Sequence, residues 1–298
     1  MANQTLSYLK RRFEEVGLRL RSRRGQNFLI DLNLLRVLVE AANLSSDDVV
    51  LEVGTGVGSL TSLVAPHVTH VVTVEIDPRL FQLASEELID LTNITMLNLD
   101  ALSGKHTIDP AVITAIQGRL NEAPGRHFKL VANLPYNVAT PLISNLLELD
   151  RPPDTMTVTI QKELADRLAA PPCTKDYGAL SLWTQCQCRV ELLRVMPPTV
   201  FWPRPKVHSA IVQITLDPER RAAVGDRQFF HDFVRNLFLH RRKHLRGVLA
   251  ATFKNQLDKP GIDALLSQLQ LVDTARAEEL SVSQMLELSK AMQARLPP

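Results

Sequence analysis

Between residues 49 and 216 the chain alternates short β-branched and aliphatic runs with stretches whose apolar positions recur every three to four residues. The short runs fit buried strands and the periodic stretches fit helices. Strands are predicted at VVLEV (49–53), HVVTVEI (70–76), ITML (94–97), FKLVAN (128–133), TMTVTI (155–160), RVELLRVM (189–196) and HSAIVQITL (208–216). Helices are predicted after Gly58, over Pro78 to Leu91, from Thr140 to Leu149 and over Gln161 to Ala170. Proline clusters at 152–154, 171–172 and 197–207 mark loops. This βαβ rhythm predicts an α/β fold on a largely parallel sheet.

Beyond LDPER (216–220) the pattern changes. FFHDFVRNLFLHRRKHLRGVLAATF (229–253), GIDALLSQL (261–269) and SVSQMLELSKAMQARL (281–296) are helical in period, with no strand candidate among them. The expected organisation is a first domain over 1–216, carrying a basic N-terminal arm, and a small all-helical domain over 217–298. No repeat or low-complexity tract interrupts either.

Composition agrees with two domains: 298 residues at 45% hydrophobic content exceed the usual single-domain size of about 100 to 200 residues. A net charge of +2 is too mild to indicate a nucleic-acid partner, so the placement of charge matters more than its sum. Three cysteines, Cys173, Cys186 and Cys188, give no pairing framework, and no leader of basic, apolar and small residues opens the chain. The expectation is a soluble cytoplasmic protein. No apolar run reaches the roughly 18 residues of a membrane span.

LEVGTGVGSL (51–60) reads as strand, glycine loop and helix start, with Glu75 closing the next strand. Glycines permit a sharp turn and let a ligand approach the main chain, while a strand-end carboxylate can accept both hydroxyls of a ribose. A dinucleotide loop reads G-x-G-x-x-G, but here Gly58 comes one position early and Ser59 takes the usual third place. The spacing suits the adenosine of S-adenosylmethionine, which carries no pyrophosphate. Asp100, after the third strand, is placed to accept from an adenine amine or to cap a turn.

VANLPYNVATPLI begins at 131 and ends a buried strand on an amide, a proline and an aromatic ring. An aromatic exocyclic amine is a poor nucleophile because its lone pair is delocalised into the ring. Two acceptors that hold its protons would turn that lone pair outward: the side-chain oxygen of Asn133 and the carbonyl of Leu134. Pro135 stiffens the carbonyl's direction, and Tyr136 offers a face for a flipped base. An Asn-Pro turn entering a helix is the plainer reading of the same residues.

In order along the chain, RRGQNFLID (23–31), LEVGTGVGSLT, VEIDPRL, NLDAL, VANLPYNVATPLI, IQKELADRLAA (160–170), YGALSLWTQ (177–185), FWPRPKVHSAIV (201–212), FLHRRKHLRGVL (238–249) and RAEELSVSQMLELS (276–289) resemble the KsgA-type ribosomal RNA adenine dimethyltransferases. The resemblance runs nearly end to end. It implies a Rossmann-like, S-adenosylmethionine-dependent sheet followed by a small helical domain. It also implies dimethylation of N6 on two adjacent adenosines in the 3'-terminal hairpin of small-subunit rRNA, within a pre-ribosomal particle. Carried over by position, the cofactor contacts would be Asn27, Leu29, Gly54, Glu75, Asp100 and Asn133. The base-facing group would be Asn133, Leu134, Pro135 and Tyr136, with Phe201 as second aromatic. Three departures stand out: Leu99 where the family often has Gly, His240 where Gln is more usual, and a long link at 103–128, expected to be a surface insertion without a catalytic role.

Two basic clusters remain. Lys10, Arg11, Arg12, Arg19, Arg21, Arg23 and Arg24 lie in the N-terminal arm; Arg235, Arg241, Arg242, Lys243 and Arg246 are expected on one helix. Charge runs are commonly solvated faces. Flanking an amine-methylating site, they point to phosphate contacts, with Arg23, Arg24, Arg241, Arg242 and Lys243 as candidates and Arg241 to Lys243 also able to serve packing. The spacing of Cys186 and Cys188 does not suit a metal site, and none is expected. The expected oligomeric state is a monomer. Other readings stay open: a large-subunit rRNA methylase, a DNA adenine or protein glutamine methylase, or a mainly non-catalytic ribosome-assembly or transcription factor.

Overall fold

The computed structural model describes residues 6–15, 17, 27–104, 107–254 and 256–296. The chain opens with α1 (Leu6–Glu15), β1 (Phe28–Leu29), α2 (Leu32–Ala41), β2 (Asp48–Val53), α3 (Ser59–Val64), β3 (His70–Val74), α4 (Pro78–Glu87) and β4 (Ile94–Leu97). It continues through β5 (Leu102–Gly104), β6 (Thr107–Ile108), α5 (Pro110–Leu120), β7 (His127–Asn133), α6 (Tyr136–Glu148), β8 (Thr155–Gln161), α7 (Lys162–Ala169) and α8 (Ala179–Gln185). Then come β9 (Cys188–Met196), β10 (Phe201–Trp202), β11 (Ser209–Leu216), α9 (Pro218–Val224), α10 (Arg227–Phe238), α11 (Leu245–Thr252), α12 (Lys259–Gln268) and α13 (Val282–Gln293).

All seven predicted strands form one sheet in the order β4-β3-β2-β7-β8-β11-β9. The pairs β4–β3, β3–β2, β2–β7 and β7–β8 are parallel, and β8–β11 is antiparallel. Parallel strands are covered on both faces, which explains why Val49, Val50, Leu51, Val71, Val72, Leu130, Val131 and Ala132 are fully buried and read as continuous apolar runs. On one side the core gathers Leu34, Leu35 and Leu38 of α2 with Leu60 and Val64 of α3. Strand order reverses between β2 and β7, and the crevice at such a switch point is where α/β sheets bind ligands.

Several helix starts were written into the sequence as Asp-Pro. Asp77, Asp109 and Asp217 each cap a helix through the side chain, and the following proline takes the first helical position, where a missing N–H costs nothing. Two expectations need correction. The 103–128 link is not a surface insertion: it carries α5, whose Val112, Ile116 and Leu120 are buried. Parallel strands need a crossover over a sheet face, and α5 lies in the connection leading to β7. Helix α6 begins at Tyr136 rather than Thr140, with Pro135 as its cap residue.

The chain forms two compact units, Met1–Ala165 with Glu191–Thr215, and Asp166–Val190 with Leu216–Pro298. The sequence expectation placed 166–190 in the first. Those residues bring Tyr177, Leu182 and Trp183 into burial, with Tyr177 donating to the Leu280 carbonyl at 2.9 Å and Trp183 packed on His231. Aromatic area of this size settles where a segment belongs.

Candidate active site

The carboxyl ends of β2, β3, β4 and β7 open into one cavity of the first unit, and its lining includes Asn27, Leu29, Gly54, Glu75, Asp100, Asn133, Leu134 and Pro135. Adjacent parallel strands bring these together: Val53 is in register with Val74, and the Gly54 N–H donates to the Val74 carbonyl at 2.8 Å. Asn98 donates from Nδ2 to the Glu75 carbonyl at 2.7 Å, which holds the loop after β4 against the end of β3.

Two glycines have conformational reasons to be there. Gly54 has φ of +91°, and a Cβ on it would stand 3.3 Å from the Pro135 ring. Gly56 has φ of +59°, and its Cβ would stand 3.1 Å from Phe28. The loop therefore presents bare backbone to the cavity and packs directly on the Asn-Leu-Pro-Tyr turn.

Glu75 is 4% exposed; its Oε2 accepts from Gly56 N–H and its Oε1 from Asp77 N–H, both at 2.9 Å. A carboxylate so held keeps lone pairs for further donors. Asp100 is exposed at the rim, where its Oδ1 accepts from Leu102 N–H at 3.0 Å, so it caps its own turn while bordering the cavity. S-adenosylmethionine fits this set: a fixed acid for ribose hydroxyls, side-chain-free backbone beside it, and apolar walls at Ile76, Leu80 and Leu99 for a flat base. Leu99, the departure from glycine, is thus part of the wall. Among the described residues no group of three or more His, Cys, Asp or Glu is arranged to hold a metal ion. Cys186 and Cys188 are free and buried, and burial raises both thiols far above their ordinary range.

At the end of β7 the Asn133 Nδ2 donates to the Asn27 carbonyl at 2.9 Å. The amide's donor end is committed to the main chain, so Oδ1 is the end turned to accept. Leu134 donates its N–H to the Thr159 carbonyl at 3.1 Å, while its own carbonyl accepts nothing among the described residues. Tyr136 is half-buried at the start of α6, its hydroxyl 2.6 Å from Ser209 Oγ, and burial raises the phenol above its usual range.

Phe201 is 2% exposed and packs in the core with Leu29, Met196 and Ile211; like Tyr136, it stands outside the residues lining the cavity. β10 pairs Phe201 with Leu29 and Trp202 with Phe28. Side chains alternate along a strand, so the first ring of Phe-Trp turns inward while Trp202 stacks on Phe13 with centroids 5.6 Å apart.

The basic clusters also divide. Arg23 and Arg24 lie outside the described residues. The second cluster is not on one helix: Arg235 is on α10, Arg241 to Lys243 form the turn after it, and Arg246 is on α11. Arg241 donates to the carbonyls of Lys175 and Tyr177 at 3.0 and 3.3 Å and pairs with Glu278, and Arg246 makes a two-pronged bond to Asp263. Both serve the second unit's own structure; Arg242 and Lys243 are exposed.

Sequence reading missed two groups. Ser209 ends the Phe-Trp-Pro segment and is fully buried against Tyr136; only its spacing from that motif could have signalled it. Glu52 lines the cavity, is 2% exposed, and accepts from the hydroxyls of Thr61 and Thr73, the latter at 2.9 Å. Burial pushes its carboxyl up to about 8, helped by the nearby charge of Glu75. A lone acid inside an apolar strand was the available signal.

Comparison with known proteins follows this geometry. A chain from Lactiplantibacillus plantarum, "Ribosomal RNA small subunit methyltransferase A", is 40% identical over 278 residues, covering 93% of this chain and 91% of its own. One of the same name from Latilactobacillus sakei is 37% identical over 284 residues, covering 95% and 93%. Among solved structures, a dimethyladenosine transferase from Plasmodium falciparum superposes with a TM-score of 0.73 at 22% identity, over 89% of this chain and 97% of that one. The 23S rRNA methyltransferase ErmE gives 0.63 at 24%, over 89% and 99%. These two share the fold. With residues 17–294 matching the family described as "Ribosomal RNA adenine dimethylase", the chain belongs to that family.

Proposed function

We propose that this chain transfers two methyl groups to N6 of each of two adjacent adenosines in the 3'-terminal hairpin of small-subunit rRNA, consuming four molecules of S-adenosylmethionine. It acts as a cytoplasmic monomer on a pre-ribosomal particle. Among the described residues no helix is long and apolar enough to cross a membrane.

The observation that carries the reading is the held amide: Asn133, fixed by the Asn27 carbonyl, borders the cavity that also contains Glu75 and the glycine loop. When bound, the cofactor supplies an electrophilic methyl group. The chain's own residues prepare the amine. In the first transfer Asn133 Oδ1 and the Leu134 carbonyl accept its two N–H groups, which turns the nitrogen lone pair out of conjugation and fixes its direction; in the second, one of these acceptors holds the single remaining N–H. Pro135 holds the carbonyl's orientation, since its ring fixes φ near −65°. Tyr136, anchored through Ser209, is the platform for the extruded base. Its phenol stays neutral, so positioning and electrostatics rather than a strong base carry the catalysis.

The test supplies labelled S-adenosylmethionine and small subunits lacking these methylations, then maps the modified nucleotides. Label is expected on two neighbouring adenosines; label confined to large-subunit RNA or to protein overturns the substrate. Asn133→Ala is expected to lower transfer by about 100-fold or more, the scale for loss of one positioned polar group, with RNA retention unchanged.

A further inference from the structure

Leu9 of α1 lines the methyl-transfer cavity, although α1 precedes every motif that marked the site in the sequence. It is 2% exposed and borders the cavity beside Val57 of the glycine loop and Leu80 of α4. These three side chains form one apolar cluster with Phe13 and Leu83. Leu9 and Phe13 stand one helical turn apart, so one face of α1 is buried while Lys10 and Arg11 on the other are exposed.

Polar contacts clasp this helix to α4. The Tyr8 hydroxyl donates to Glu87 Oε1, Arg12 donates from Nη2 to Glu86 Oε2 at 2.7 Å, and Arg79 donates from Nη1 to the Gly17 carbonyl at 3.0 Å. Partners that ascend along α1 descend along α4, so the two run antiparallel. Arg79, Leu83 and Glu86 recur at the spacing of one helix face. The start of α4 is in turn tied to the site, because Asp77 caps it and donates its own N–H to Glu75. On the other flank Phe13 meets the edge of Phe28 with centroids 5.4 Å apart, and the neighbouring Asn27 carbonyl holds the Asn133 amide.

We propose that α1 is a wall of the cofactor site, with Leu9 making an apolar contact to bound S-adenosylmethionine and the α1–α4 clasp positioning it; this rests on reading the cavity as an S-adenosylmethionine site. A helix that only covered core would need Phe13 and Leu83, whereas Leu9 also faces the space the cofactor fills. Exposed ion pairs such as Arg12–Glu86 hold weakly, so a ligand touching Leu9 adds to the docking of α1. By linkage, docking of α1 then strengthens the ligand to the same extent.

Calorimetry of the full chain with S-adenosylmethionine, joined to hydrogen exchange over residues 6–15, tests this. Leu9→Ala is expected to weaken the cofactor about 4- to 15-fold, the scale of one or two lost methylene contacts. Arg12→Glu sets a carboxylate against Glu15, Glu86 and Glu87; it should expose 6–15 to exchange and weaken the cofactor at least as much. Adding Glu86→Gln/Glu87→Gln to that variant should recover affinity. In the parent, S-adenosylmethionine should raise protection over 6–15, which a helix serving only the fold would not show. Parental affinity in Leu9→Ala, or protection over 6–15 that ignores the cofactor, overturns the role of α1 alone. A parent chain that binds no S-adenosylmethionine removes the reading of the cavity with it.

Discussion

Tyr136 and Ser209 lie 73 positions apart in the sequence and meet at 2.6 Å, with Ser209 completely buried. In the proposed role of Tyr136 as base platform, the ring needs a fixed orientation, to which the hydroxyl contact contributes. Ser209→Ala and Tyr136→Phe are each expected to lower the rate of transfer about fivefold, from a hydrogen bond worth about 1 kcal/mol. Cofactor affinity should stay the same, and the double variant should be no slower than either single one. Additive losses would show that Ser209 merely supports the fold. Glu52 gives a second residue-scale expectation. Because its folded carboxyl holds a proton up to about 8 against an ordinary 4.5, its contribution to stability is complete below pH 4.5 and is lost as pH rises through 8. Glu52→Gln removes that dependence. Urea denaturation should show the variant gaining on the parent between pH 5 and 8.5; parallel stabilities across that range would mean Glu52 is already ionised. The inward turn of Phe201 belongs at this scale as well, since two adjacent rings on a two-residue strand carry no period from which to read the inward one.

Strands were the legible elements because burial on both faces leaves a compositional mark: Val49 to Leu51 and Leu130 to Ala132 read as strands because nothing polar could sit there. Their ends then pointed to the site, since Gly54 follows the predicted strand 49–53, Glu75 is the last residue but one of 70–76 and Asn133 ends 128–133. Helix α5 also had a signal, with Val112, Ile116 and Leu120 recurring every four residues. That signal is obscured when 103–128 is judged by its length against relatives instead of by its apolar period. Helix α2 went unassigned although Asp31 caps it by accepting from Asn33 and Leu34 N–H groups, a short-range feature that any aspartate-rich loop resembles before the contacts are known. In the basic cluster the sequence displayed charge but not its partners. Glu278 and Asp263, which occupy Arg241 and Arg246, lie 37 and 17 positions away.

For the molecule as a whole, composition marked the change at 216 but could not show that the chain enters the second unit twice. The path crosses between units at 165/166, 190/191 and 215/216, so no single cut separates them. Residues 166–190 leave Tyr177 and Trp183 dependent on partners beyond residue 216: the Tyr177 hydroxyl on the Leu280 carbonyl, and the Trp183 ring on His231 at 4.5 Å. Removing 217–298 strips both contacts and exposes aromatic surface that is at most 1% accessible in the intact chain. Each large ring buries about 150 to 250 Å², worth several kcal/mol at about 25 cal/mol per Å². The fragment 1–216 is therefore expected to bind a hydrophobic dye and aggregate, even though it retains every residue lining the catalytic cavity. A soluble fragment with an unchanged near-ultraviolet dichroism signal from Trp183 would show that 166–190 is held by the first unit after all.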